Sequence, residues 1–303
     1  MMINNEFMER ELLSNKDKLS EFFIKSGRNL AKEDLVSIIT ELIKRNSNQE
    51  NFLLNISHDL RGHLNVILSV MQMINHGNVS ITDKKAIEYM DIVKKNSLKM
   101  LKLINNLIDT TKLENNYYVI NKKNIDIISM IESTVNCIDK YAKQKKIQLI
   151  FDTNEEECIM GIDPEVVDRI LMNLLSNAIK FSYANSNVYI DIFVINSEIK
   201  ISIRDEGPGI AKQHQDKIFN RFYQTKKVDN HVIGSGIGLD LVSYLVKSMD
   251  GEVILNSSEG KGCEFIVIFP IKIVEEKESY CLTDNNSNKI QMLEIEFSDI
   301  YNN

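Results

Sequence analysis

The sequence predicts an α+β protein: a helical hairpin of the kind that dimerises into a four-helix bundle, followed by a two-layer α/β sandwich. Three observations predict it. Two long segments, near residues 53–74 and 82–108, repeat apolar residues every three or four positions, as amphipathic helices do. The turn signal Asn75-His76-Gly77-Asn78 joins them. Beyond Glu114 helical stretches interleave with alternating apolar strands, most of them spaced as hairpins, which is the pattern of a sheet covered on one face.

Residues 1–50 read as helix, apolar at Leu12, Leu19, Phe22, Leu30, Ile38 and Leu42, with a break near Gly27 and Lys32-Glu33-Asp34. This span is too short and too poor in strand signals for a full ligand-sensing domain. It reads as a helical extension of the bundle, or as an input segment that docks a regulatory partner. The hairpin occupies residues 51–114. In its first helix Leu53, Ile56, Leu60, Leu64, Ile67, Met71 and Ile74 make one stripe. At about 100° per residue His58 lies roughly 160° from the stripe centre, so its ring is expected to face solvent. Arg61, Gly62, Asn65 and Ser69 share that face and leave room for a second body. Ser80 or Thr82 caps the second helix. Ile87, Met90, Val93, Leu101, Ile104 and Ile108 form its apolar side, with Lys94, Lys95, Lys99 and Lys102 on the wet side. One hairpin leaves an apolar seam uncovered, and pairing of two chains through residues 51–114 closes it.

The sandwich spans residues 120–272. A helix is expected over Ile125 to Tyr141, a strand over Ile147 to Asp152, and a helix from Pro164, behind Asp163, to Phe181. Strands follow at Val188 to Val194 and Ile199 to Arg204, a helix at Val242 to Met249, and strands at Gly251 to Asn256 and Cys263 to Phe269. The tail, 273–303, is polar until the alternation Ile290-Gln291-Met292-Leu293-Glu294-Ile295-Glu296-Phe297, which fits one further strand.

Composition narrows the function classes. The chain has 303 residues, 43% hydrophobic and 26% charged, enough for two domains with ordinary cores. A net charge of -7 with no long run of lysine and arginine argues against a nucleic-acid surface. Cys137, Cys158, Cys263 and Cys281 show no CxxC pair and no metal-ligand spacing, so reduced thiols are expected. There is neither a signal pattern at the amino terminus nor a run of about 18 apolar residues, so a cytoplasmic protein with no membrane span is expected.

Three stretches carry chemistry. Asn173 and Asn177 stand four apart on one helix face with Lys180 three further on, and two amide oxygens with an ammonium suit a hydrated magnesium ion and phosphate oxygens. Asp205-Glu206-Gly207-Pro208-Gly209 puts a carboxylate at a strand end beside glycines. The carboxylate can accept a hydrogen bond from an exocyclic amine such as adenine's, and the glycines let backbone approach a flat ring. Gly234-Ser235-Gly236-Ile237-Gly238-Leu239 opens a helix, offering unpaired N–H groups and the positive dipole end to phosphate.

In this order the motifs resemble the sensor histidine kinases of two-component signalling, over about residues 50–272. His58 sits in what looks like the phospho-acceptor box, Asn173 to Ser182 in the asparagine box and Asp205 to Gly209 in the first glycine box. Ile218-Phe219-Asn220-Arg221-Phe222 matches the phenylalanine box, Gly234 to Leu239 the second glycine box, and Gly260 to Phe265 the last glycine turn. The resemblance implies an ATP-dependent kinase that phosphorylates His58 and passes the group to an aspartate of a response regulator. It implies Asn177 as the Mg2+ ligand, Asp205 as the adenine reader, Lys180 as a phosphate contact, and residues between Gly209 and Gly234 as a lid. Asp59 is the expected base or orienter of His58.

The match fails at two positions. Relatives usually carry threonine and proline four and five residues after the acceptor histidine; here Gly62 and His63 stand. Without proline the bend is no longer enforced, although Gly62 costs the helix about 1 kcal/mol relative to alanine. Without the threonine hydroxyl, weak phosphatase activity toward the regulator is expected. His63, about 60° from the stripe centre, is expected to be structural or superficial rather than a second acceptor. Two rival readings stand beside the kinase: a degenerate, non-enzymatic protein that sequesters a regulator or another kinase, and an ATPase or serine kinase sharing the nucleotide-binding domain.

Overall fold

The computed structural model describes residues 56–74, 84–114, 119–224, 236–275 and 286–300. The expected helices of residues 1–50, the turn at 75–78, the caps Ser80 and Thr82, and Gly234 lie outside the described residues. Residues 56–74 form helix α1 and Lys84–Glu114 helix α2. The two helices meet where the Nδ1–H of His63 donates to Oδ1 of Asn96 at 2.9 Å, so His63 serves the hairpin seam. Much of the apolar stripe stays bare in one chain: Leu64, Met71, Leu101, Ile104 and Ile108 are exposed, and Ile87 and Met90 are 70% and 60% exposed.

The sandwich begins with strand β1, Lys123–Asp126, and helix α3, Ile127–Gln144. Strand β2 (Gln148–Thr153), strand β3 (Ile159–Ile162), helix α4 (Pro164–Phe181), and strands β4 (Asn187–Ile195) and β5 (Glu198–Asp205) follow. Then come the short helix α5 (Lys212–Gln215), helix α6 (Gly238–Ser248), and strands β6 (Glu252–Ser257) and β7 (Cys263–Pro270). The main sheet has the order β2-β4-β5-β7-β6, parallel between β2 and β4 and antiparallel elsewhere; β1 and β3 make a separate antiparallel ribbon.

Alternation along the central strands produces the core. Val188, Ile190 and Ile192 on β4 and Ile199, Ile201 and Ile203 on β5 turn inward and are at most 2% exposed. They form one cluster with Ile131 and Ile138 of α3, Leu171, Leu174 and Leu175 of α4, and Val242 and Leu245 of α6. Each such side chain contributes about 1.5–3 kcal/mol by leaving water. On the other face Phe193 is exposed and the Arg204 guanidinium lies over the Tyr189 ring at 4.1 Å, so the sheet is covered by helices on one side. That is the two-layer arrangement the sequence predicts.

Local capping sets the helix starts. Asp163 Oδ1 accepts from the N–H groups of Glu165 and Val166, and its Oδ2 from Asn121 N at 2.6 Å, ahead of Pro164 at the first helical position. Asp126 caps α3 in the same way. Its carboxylate takes the Ile128 N–H, so the helix starts two residues later than Ile125, which instead pairs with Met160 in the ribbon.

The tail departs further from expectation. Asn286–Glu296 form helix α7 and Phe297–Asp299 a 3-10 turn, not a strand. Leu293 and Phe297 lie one helical turn apart and are both buried, Phe297 stacked on Tyr141 with ring centroids 4.8 Å apart. Apolar residues at 290, 293 and 297 follow the helical period while those at 293, 295 and 297 follow the alternate one, and the partner aromatic decides. Lys102 therefore does not face open water, its Nζ donating to the Glu296 carbonyl at 2.6 Å, while Lys94 stays exposed and pairs with Glu294 at 3.2 Å.

Candidate functional site

Helix α4 is the spine of the site. Its buried face holds it to the sheet, while Asn173, Asn177 and Lys180 remain half-buried along the other side. Asn173 Nδ2 donates to the Arg169 carbonyl at 2.9 Å, which turns its Oδ1 toward the start of α6. A side-chain carbon at Gly238 would lie 2.6 Å from that oxygen. The second glycine box and the asparagine box are thus in contact, and the N-terminal N–H groups of α6 open beside α4. Among the described residues the Asn177 side chain makes no hydrogen bond, and Lys180 Nζ lies 5.5 Å from the Phe181 ring centroid.

The far end of α4 meets the first glycine box. A side-chain carbon at Gly207 would lie 2.8 Å from the Phe181 carbonyl oxygen at the helix end and equally close to Asp205 Oδ1. Asp205, last residue of β5 and 5% exposed, accepts from Gly207 N at 2.8 Å and Cys263 N at 3.3 Å, both on Oδ1. Among the described residues its other oxygen accepts nothing. Burial pushes this carboxyl above the ordinary carboxylate range, and the two N–H donors only partly offset it. The last glycine turn closes against the same loop: Gly260 N donates to the Pro208 carbonyl at 2.6 Å, and Gly209 abuts the Ser258 carbonyl. Burial pushes the Cys263 thiol up to about 11, so it is an inert thiol at neutral pH.

The phenylalanine box is tied to the second glycine box directly and through Asp240, one residue beyond it. Arg221 Nε donates to Asp240 of α6 at 2.8 Å, and Phe222 N donates to the Gly236 carbonyl at 2.8 Å. Opposite charges 19 positions apart give no local signal. Phe219 packs edge-to-face on Phe265 at 6.3 Å, and Leu239 is half-buried against the core. The structure thus sets Gly238 against Asn173 on α4, and Gly207, with Asp205, against the far end of the same helix; Gly209 lies against the last glycine turn and Gly236 against the phenylalanine box. It sets Phe219 and Leu239 in the packing beneath.

On α1, His58 and Asp59 are exposed, with side chains 87% and 58% accessible. Asp59 Oδ1 lies 3.4 Å from the Nδ1 of His58. Gly62 has nothing within 4 Å of where a side-chain carbon would stand.

A hairpin with an exposed histidine, joined to an α/β sandwich whose asparagine helix touches both glycine boxes, defines a class: a nucleotide-binding domain attached to a phospho-acceptor-type hairpin. Residues 162–273 match the family model of histidine kinase-, DNA gyrase B-, and HSP90-like ATPases, and residues 48–116 that of the His Kinase A phospho-acceptor domain. The chain belongs to the sensor histidine kinases of two-component signalling. It is 28% identical to sensor histidine kinase WalK of Bacillus subtilis over 243 residues, which is 79% of this chain and 39% of WalK. The chain therefore spans well under half the length of that relative. Among solved structures, full-length ShkA in complex with AMPPNP aligns at 24% identity and a TM-score of 0.57, covering 74% of this chain and 46% of ShkA. ThkA in complex with the response regulator TrrA aligns at 17% identity and a TM-score of 0.56, covering 80% of this chain and 68% of that one. At these identities the two structures support the fold.

Among the described residues no helix is long and apolar enough to cross a membrane, and none of the His, Cys, Asp and Glu residues gather into a group of three that could cage a metal.

Proposed function

We propose that the protein is an ATP-dependent histidine kinase that phosphorylates its own His58 and passes the phosphoryl group to an aspartate of a response regulator. The observation that carries this reading is the exposed imidazole of His58 with Asp59 on its Nδ1 side. Asp59 accepts a hydrogen bond from Nδ1–H, which keeps the proton on that nitrogen and leaves the lone pair on Nε2. That nitrogen bonds to the γ-phosphorus as the bond from phosphorus to the bridging oxygen breaks and ADP leaves. Asp59 then stabilises the positive charge that reaches the ring.

The site fits ATP. Asp205 keeps one carboxylate oxygen for the adenine amine, Gly207 and Gly238 leave the space that a side chain would fill, and the N-terminus of α6 offers N–H groups to phosphate. Asn177 would hold Mg2+, an ion that takes few protein ligands and shares its sphere with water and phosphate; bound, it neutralises charge on the β and γ oxygens. Asn173 braces Gly238, and Lys180 supplies positive charge along the same face. Phe219 and Leu239 support the loops from below.

The bare apolar residues of α1 and α2 favour a homodimer through residues 51–114. The ThkA complex shows a histidine kinase with a response regulator, and the same class of partner is proposed here. Incubation with γ-labelled ATP tests the kinase. Acid-labile, base-stable label that disappears in His58→Gln is expected; acid-stable label, or label that persists in that variant, contradicts the reading.

A further inference from the structure

Helix α7 and the turn after it take no part in the chemistry just described, yet they join the ATP-binding domain to the hairpin. Toward the hairpin, Lys94 of α2 pairs with Glu294 at 3.2 Å and Lys102 with Glu296 at 3.4 Å. Toward the ATP-binding domain, Lys289 pairs with Asp168 of α4 at 2.9 Å and donates to Thr134 of α3 at 2.7 Å, while Phe297 is fully buried on Tyr141. Arg169 of α4 pairs directly with Asp109 of α2 beside them.

The two attachments differ in strength. A buried aromatic stack with a supporting hydrogen-bonded pair fixes α7 to the ATP-binding domain. Toward α2 only the outer pair is partly exposed, Lys94 being 59% and Glu294 33% accessible, and such a pair is individually weak; Lys102 and Glu296, at 16% and 21%, are more enclosed, but the apolar anchors Leu293 and Phe297 both belong to the core of the ATP-binding domain. A cavity of about 50 Å³ also remains at that seam, lined in part by Lys102, Asp109, Arg169, Asn173, Met292 and Ile295. When the assembly opens, it therefore parts at α2 and leaves α7 on the ATP-binding domain.

We propose that α7 is an autoinhibitory latch, carried by the ATP-binding domain and closing on α2 between Lys94 and Asp109. This rests on the kinase reading: the ATP-binding domain must take different positions on the hairpin to load nucleotide, deliver phosphate and make way for the regulator. A contact that favours one position reduces the population of the others. The latch also reaches the nucleotide site, because Asn173 lines the same cavity as Met292 and Ile295.

The test uses the full chain. Glu294→Lys with Glu296→Lys reverses the latch, and adding Lys94→Glu with Lys102→Glu restores opposite charges. The reversed form should autophosphorylate about three- to fivefold faster at saturating ATP, the change that partly exposed pairs support, and the restored form should return toward the unaltered rate. An unchanged or slower rate in the reversed form, or no return in the restored one, overturns the latch. If no form, including the unaltered chain, takes label, the kinase reading has failed instead. The latch is then judged by hydrogen exchange: faster exchange over residues 94–109 in the reversed form supports it, and equal exchange overturns it.

Discussion

The glycine turn beneath Asp205 allows steric cost to be separated from backbone strain. Gly260 and Gly262 both have φ near +80°, at +79° and +78°. Alanine at either position therefore accepts a left-handed backbone at about 1–2 kcal/mol. Their surroundings differ. A side-chain carbon at Gly260 meets nothing within 4 Å, whereas at Gly262 it would lie 1.9 Å from the Asp205 carbonyl oxygen. Normal contact is about 3.5 Å, so the turn and the end of β5 would have to separate by roughly 1.5 Å, and overpacking of this kind costs about 1–3 kcal/mol. Gly260→Ala should destabilise by about 1–2 kcal/mol and Gly262→Ala by about 2–5 kcal/mol, summing the two effects. Urea unfolding of the two variants measures the difference, and fluorescent-nucleotide binding reads the site. Because Cys263 N holds Asp205 Oδ1, displacement at Gly262 should also weaken ATP affinity, while Gly260→Ala should leave it near the unaltered value. Equal destabilisation by the two variants would refute the reasoning.

The remaining predictions concern charge, capping and residue 62. The ionised Asp205 carboxylate is disfavoured by burial, so the folded state holds its proton more tightly than the unfolded chain does, and this group's contribution to stability falls as pH rises through the raised native pKa. Asp205→Asn should accordingly keep or raise the melting temperature at neutral pH while abolishing nucleotide binding. In the unaltered protein, binding should fade on acidification at a higher pH than an ordinary carboxylate would give, as titration calorimetry across pH can show. Asp163→Ala removes the acceptor for three backbone N–H groups and should cost about 1–2 kcal/mol in denaturant unfolding. Gly62→Thr fits without collision, and should speed dephosphorylation of a phosphorylated regulator severalfold; a variant no faster than the unaltered chain removes the case for weak phosphatase activity.

What the sequence could and could not reveal follows from the range of the forces involved. Helix α4 was legible because its cap, Asp163-Pro164, and its apolar period are local. The central strands were legible because their alternation records a sheet with one covered face. Strand β3 offers only four residues, Ile159–Ile162, against one partner strand, and carries no pattern that separates it from a loop. The tail satisfied two periods at once, and Tyr141, 156 positions before Phe297, settles which one forms. The exposure of His58 followed from its angle on the helix. The partner of His63, Asn96, did not, because it depends on how α1 and α2 are set against each other. Among the site residues, the glycines and asparagines were legible as motifs. The pairing of Arg221 with Asp240, and the two N–H donors that occupy one oxygen of Asp205, arise only once the loops converge.

The Asp126 carboxylate has a further consequence. One oxygen takes the N–H of Ile128, which begins α3, and the N–H of Cys158, which leads into β3, while Ile127 N donates to the Cys158 carbonyl. Ribbon and helix are thus clasped by a single side chain, and neither can fray without releasing the other. Their amides should exchange with deuterium as one unit, with a common opening free energy, so this corner melts as a block rather than peeling from its end.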